Sequence, residues 1–206
     1  MKALLDDCRY LFYTIFHPFD GFYELRFRRR KNWVLIISLL VLYGLVEIFR
    51  QWYTGIIMRT WDTYGLNGLL TFASALFPLI LFALSNWSVT TLTEGNGRLS
   101  DIVMVTAYAT VPKMVTGVLV TVASNFIIQE ETIILTVIDL FGTVMFCFLI
   151  FAGLCVIHEY TAWKTVLTVF YSAIAAMIIF FILLFFFSIV GKMIGLVSVI
   201  FTELTN

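Results

Sequence analysis

Residues 166–190 read VLTVFYSAIAAMIIFFILLFFFSIV, a stretch with no charged residue, no proline and no glycine. A helix rises about 1.5 Å per residue, so roughly 20 apolar residues cross a bilayer core about 30 Å thick. This stretch is long enough. Lipid offers no water to unpaired backbone groups, so the crossing form is a helix. Working outward, four more stretches read the same way: about 33–49, which is short, then 69–92, 102–125 and 132–157. Short polar breaks separate most of them, which makes consecutive helices antiparallel neighbours. There is no internal repeat or low-complexity linker. The chain reads as one domain over 1–206, an all-α five-helix transmembrane bundle with 1–31 as a cytoplasmic segment and 191–206 as an external tail.

Composition agrees. Of 206 residues, 61% are hydrophobic and 13% charged, whereas a soluble domain is about a quarter charged. The formal net charge is zero, so no global field favours an acidic partner such as nucleic acid. Cys8, Cys147 and Cys155 show no CxxC spacing and read as buried free thiols, with neither a disulfide framework nor a zinc site. The opening MKALLDDCRY carries two acids and lacks the continuous apolar core of a cleavable signal.

Lysine and arginine set the orientation. Alternation along the five spans places Lys2, Arg9, Arg26, Arg28, Arg29, Arg30, Lys31, Arg98 and Lys164 on one side, and Arg50, Arg59 and Lys192 on the other. The asymmetry predicts a cell-membrane protein with a cytoplasmic N-terminus and an external C-terminus. The run RFRRRK then reads as a topology determinant that also meets anionic headgroups. Set directly against a span, it has little room for a duplex.

Ahead of the first span, Leu4, Leu5, Cys8, Leu11, Phe12, Ile15 and Phe16 recur at helical spacing, with Asp6, Asp7, Arg9 and Tyr13 on other faces. That is an amphipathic helix lying in the interface or packing under the bundle. Pro18 suits the first turn of a second short helix. The segment His17, Pro18, Phe19, Asp20, Gly21, Phe22, Tyr23 is not demanded by membrane physics and is the expected docking surface.

Charge within a span is costly and marks candidate sites. Glu47 and Arg50 form a local i,i+3 pair. Lys113 and Asp139 are less easily explained. They lie on small, polar stripes with Thr110 in the third span and with Thr136 and Thr143 in the fourth. Such stripes are where membrane helices pack closely and share hydrogen bonds. The rise per residue sets Lys113 roughly 18 Å and Asp139 roughly 10 Å from their outer ends. A direct bridge is within a lysine's reach but not required, and both a structural polar seam and a ligand-gripping pathway remain open. Pro78 and Pro112 each remove a backbone donor and are expected helix kinks. The fifth span shows almost no polar face and should be the most lipid-exposed. His158 and Glu159 read as an interface cap. Trp33, Trp52, Tyr53 and Trp61 read as interface anchors. No catalytic motif, metal-ligand spacing or cofactor signature emerges.

Five spans, HPFDGFYELR at 17–26 and WSVTTLTEGNGRLSDIVMVTAYATVP at 87–112, with its Tyr108-x-x-x-Pro112 spacing, resemble the Yip1 domain family in its short bacterial form. The eukaryotic members differ in carrying a long N-terminal region with a DLxGP-type motif, of which Asp20-Gly21 is at most a remnant. Their role in vesicle trafficking with Rab-type GTPases is what that branch implies. The bacterial branch implies an integral membrane protein with another membrane protein as partner, carbohydrate ABC importers among the candidates. The expected function is therefore a non-enzymatic scaffold or accessory subunit in membrane organisation, trafficking or a transport complex, with the lipid bilayer as its first partner and with room for oligomers. The alternative is a small transporter or channel built on the Lys113/Asp139 seam. A lipid-directed enzyme using Glu94, His158 and Glu159 has the least support.

Overall fold

The computed structural model describes residues 2–29, 31–58 and 67–205. Among them are seven α-helices and no strand: α1 (Lys2–Phe16), α2 (Pro18–Phe27), α3 (Trp33–Tyr53), α4 (Gly68–Leu92), α5 (Leu99–Ala123), α6 (Thr132–His158) and α7 (Ala162–Thr205). The helices α3 to α7 are each long and apolar enough to cross a membrane. Arg30, Arg59 and Trp61 lie outside the described residues, as do the side chains of Leu4, Leu5 and Cys8.

Local chemistry starts these helices where the sequence changes character. Asn32 accepts hydrogen bonds from the Val34 and Leu35 amides, and Asn67 from those of Leu69 and Leu70. An asparagine N-cap of this kind satisfies two of the amides that a helix start leaves without partners. Pro18 stands in the first turn of α2, where its missing amide costs nothing.

The most buried spanning helix is α5. It packs most extensively against α6 and then α3, while α4 packs against α7 and α3. Small residues allow the closest approach. A Cβ at Gly142 of α6 would collide with Thr116 of α5. Below the bundle, α1 and α2 form a helical hairpin seated on α6 and α5. A Cβ at Gly21 would lie 2.7 Å from the Thr14 backbone, so only glycine allows α1 and α2 to cross so closely. The end of the bundle that carries this hairpin is called basal here, and the opposite end distal.

Four expectations need correction. The inward face of α1 is Tyr10, Leu11 and Thr14, whereas Phe12 and Phe16 point outward. The reason is the α2 contact, which takes Thr14 and rotates the aromatic face away from the bundle. The segment expected as an external tail continues α7 without a break to Thr205. And α7 does have a polar face at its start: Thr165, Thr168 and Ser172 are buried. They hydrogen-bond back to their own helix and meet Cys155 and Asn86, while the rest of α7 is largely open. Cys155 is buried as expected; Cys147 is exposed, on the outward side of α6.

Candidate functional site: a fastened platform and a distal polar cavity

The run of bases is not a uniform surface charge. Arg26 is turned inward, its side chain 11% exposed against 70% for Arg28. Its guanidinium donates to the Val156 carbonyl (3.2 Å), to the Ile157 carbonyl, and to the Asn96 carbonyl (3.1 Å). It also pairs with Glu159 at 3.5 Å. A cation at a helix C-terminus meets carbonyls without intrahelical partners and the negative end of the helix dipole. Glu159 closes α6 in the left-handed conformation at φ 56°. Lys31 pairs with the buried carboxylate of Asp101 and donates to Ser100 Oγ at 2.7 Å. Asp101 in turn accepts from the Arg98 amide at 2.9 Å, which caps the start of α5. Arg29 stands 3.8 Å from Asp7 and over the Tyr10 ring, and Asn32 donates to Asp7 at 2.7 Å. Burial and the Glu24 carboxylate push the Tyr10 hydroxyl well above its ordinary range, so it remains a donor to Glu24 Oε2 (3.0 Å). Arg26 and Lys31 thus fasten the hairpin to α6 and α5, and Arg29 braces it internally.

The expected docking segment divides into two faces. Pro18, Gly21 and Phe22 are buried, and the Phe22 ring meets Tyr108 of α5 edge-on at 6.4 Å. His17, Phe19, Asp20 and Tyr23 face outward. Phe19 and Tyr23 are 48% and 50% exposed, and with Phe12, Phe16 and Phe27 they make an aromatic strip across both helices.

A buried polar chain lies just above the hairpin. The Gly97 amide donates to His158 Nδ1 (3.2 Å), which leaves the proton on Nε2 to face Asn86 Oδ1 at 3.3 Å. Asn86 then donates to Ser172 Oγ at 3.0 Å. This joins α4, α6 and α7. His158 is therefore a structural tie between three helices.

At the distal end a cavity of about 680 Å³ is walled by α3, α4, α5 and α6. Both Lys113 and Asp139 line it, together with Glu47 and Arg50. The acid and the lysine are not bonded to each other. Arg50 holds Asp139, Nη2 to Oδ1 at 3.0 Å, and also Glu47 at 3.4 Å. The Lys113 ammonium instead lies 6.0 Å from the Tyr43 ring centre and 5.8 Å from that of Phe146. Arg50 crosses α5 at Gly117, where an added Cβ would come within 2.9 Å of its Cδ. The threonines of the seam serve their own helices. Thr110 donates to Ala107, Thr136 to Thr132 and Thr143 to Asp139. Thr110 is fully buried, whereas Thr136 is exposed. The interhelical contact runs through Gly142 and Thr116 rather than through shared threonine hydrogen bonds. Pro112 lies inside α5 and Pro78 inside α4, and neither interrupts its helix.

Sequence reading missed Arg50 as the partner of Asp139. The signal was Gly117, which leaves room on the Lys113 stripe for a large side chain from a neighbouring helix. Among the described residues no group of acids, cysteines and histidines is arranged to hold a metal.

Comparison with known proteins gives one result. No curated protein and no solved structure matches this chain. The Yip1 domain model matches residues 12–201, from the middle of α1 almost to the end of α7. This chain therefore belongs to the Yip1 domain family, a multi-pass membrane protein by its five apolar helices.

Proposed function

We propose that the protein is a non-enzymatic scaffold or accessory subunit in the cell membrane, with the α1–α2 platform in the cytoplasm and the C-terminus outside. The observation that carries this reading is the outward aromatic strip on a base held at several charged points. A loosely attached amphipathic helix needs no such fastening to rest on lipid. A surface that presents rings to a partner gains from being held rigid, because less ordering is lost on binding. The partner is another integral membrane protein in the same membrane, with an ABC importer as one case to test. The direct experiment is purification from native membranes in mild detergent, comparing the wild type with Phe19→Ser/Tyr23→Ser. The expected result is a co-purifying membrane protein that the variant loses while keeping its own thermal stability. A wild type that runs as a lone species sinks the reading.

A second reading, a small transporter, is favoured by one observation: charged side chains from three helices line one cavity. Flux into liposomes by the wild type, Lys113→Met and Asp139→Asn tests it. Flux that is absent, or the same in all three, ends it.

A further inference from the structure

We propose that the distal cavity binds an ammonium–phosphate zwitterion, the chemistry of phosphoethanolamine. Among the described residues, three groups on its wall are left short of polar partners. The Lys113 ammonium has two aromatic rings beside it, but among the described residues no carboxylate lies within ion-pair distance. The Asp139 Oδ1 atom is out of solvent and touches Arg50, yet among the described residues it accepts no aligned hydrogen bond. Thr121 Oγ1 is fully buried and has no hydrogen-bond partner among the described residues. Unsatisfied groups of this kind are costly inside a protein and more so in a membrane.

Their signs define a ligand. Lys113 requires an oxyanion. The Glu47–Arg50–Asp139 cluster has two acids for one base, which favours a second cationic donor. Pro78 has no amide hydrogen to give the Ser74 carbonyl, and Ser74 is on the cavity wall, which adds an acceptor there.

Spacing narrows the class. Tyr43 and Phe146, which flank the ammonium, are each two turns from Arg50 and Asp139 on the same helix. That is a rise of roughly 10 Å, shortened by the reach of the side chains. The two charges of an α-amino acid are separated by one carbon and are too close to serve both ends. A phosphate joined to an ammonium through two carbons reaches further, and its several oxygens suit a lysine that approaches as a point charge. The cavity, about 680 Å³, has room for a group of this size. A lipid headgroup and a soluble phosphoethanolamine share this chemistry.

The test uses the full chain purified in a maltoside detergent and isothermal titration with five probes. These are O-phosphoethanolamine, short-chain phosphatidylethanolamine, short-chain phosphatidylglycerol, inorganic phosphate and ethanolamine. At least one of the two zwitterions should bind saturably and about tenfold or more tighter than each single-charge probe. Preference for the lipid names a headgroup as the source, and preference for the soluble form names a free metabolite. Lys113→Met and Asp139→Asn should each weaken the zwitterion by about tenfold, and Arg28→Gln, at the other end of the bundle, should not. Phosphate or phosphatidylglycerol binding as tightly as the zwitterions overturns the proposal, as does a wild type that binds neither zwitterion or a Lys113→Met protein that binds unchanged. The wild-type probe series decides the matter even where a variant fails to fold. Binding is read separately from flux: binding without flux removes only the transport reading, and flux without zwitterion binding removes this one.

Discussion

Replacing Arg26 with methionine separates two accounts of the basic run. If the run acts only by its charge, Arg26 and Arg28 are equivalent, and losing either one changes little. The structure says otherwise. Arg26 donates to three carbonyls on two elements and pairs with Glu159, with its side chain largely out of solvent. Hydrogen bonds from a charged donor contribute roughly 1.5–3 kcal/mol each, and a cation at a helix C-terminus about 0.3–1 kcal/mol. These contributions share one side chain and do not add, so a loss of about 3 kcal/mol is a reasonable expectation. For a chain of this size that corresponds to roughly 6–12 °C in Tm. Arg28, mostly exposed and 3.9 Å from Glu24, should show no measurable shift on the same change. Arg26→Lys should recover little, because an ammonium cannot fork to carbonyls on α6 and on the 93–98 loop together. The assay is tryptophan fluorescence on heating in detergent, with membrane orientation mapped in parallel. Equal, small shifts for Arg26→Met and Arg28→Met refute the fastening role and return the run to a pure topology signal.

Two further outcomes follow from the packing. Phe22→Ala should destabilise the protein by about 3–5 kcal/mol, because the ring is fully buried, while Phe19→Ala should leave thermal stability nearly unchanged. Gly142→Val should cost about 1–3 kcal/mol or more through its collision with Thr116, measured as loss of the monodisperse peak in size-exclusion chromatography; Gly191→Val, with open space around it, serves as the matched control.

What the sequence made legible was whatever physics enforces locally. The spans are long apolar runs, and 166–190 alone is enough to require a membrane helix. Pro18 opens α2. The hairpin faces were half legible. Helical spacing identified an apolar set in α1, but Phe12 and Phe16 belong to the outward strip, because Thr14 and Gly21 decide which side meets α2. Long-range partners were out of reach. Nothing near Arg26 announces carbonyls about 130 residues away, and nothing near Lys31 announces Asp101. Counting depth from helix ends set Lys113 and Asp139 within a lysine's reach of each other, and both line one cavity. It left a bridge between them open and did not reach Arg50, the partner Asp139 has, because a local Glu47–Arg50 pair looked complete. Arg50 has a fork wide enough to serve Glu47 and Asp139 at once.

The central position of α5 has a consequence for how the chain enters the membrane. It is the least apolar of the five spanning helices and carries Lys113 in its middle. A lysine at the centre of a lone helix disfavours insertion by roughly 2.5–3.5 kcal/mol. In the finished bundle that lysine meets aromatic rings and a cavity instead of acyl chains, but a nascent α5 has neither. It therefore partitions into lipid in company, with α3 and α4 already in place and the strongly apolar α6 following after a turn of a few residues. The helix most occupied by partners at the end of assembly is the one most dependent on them at its start.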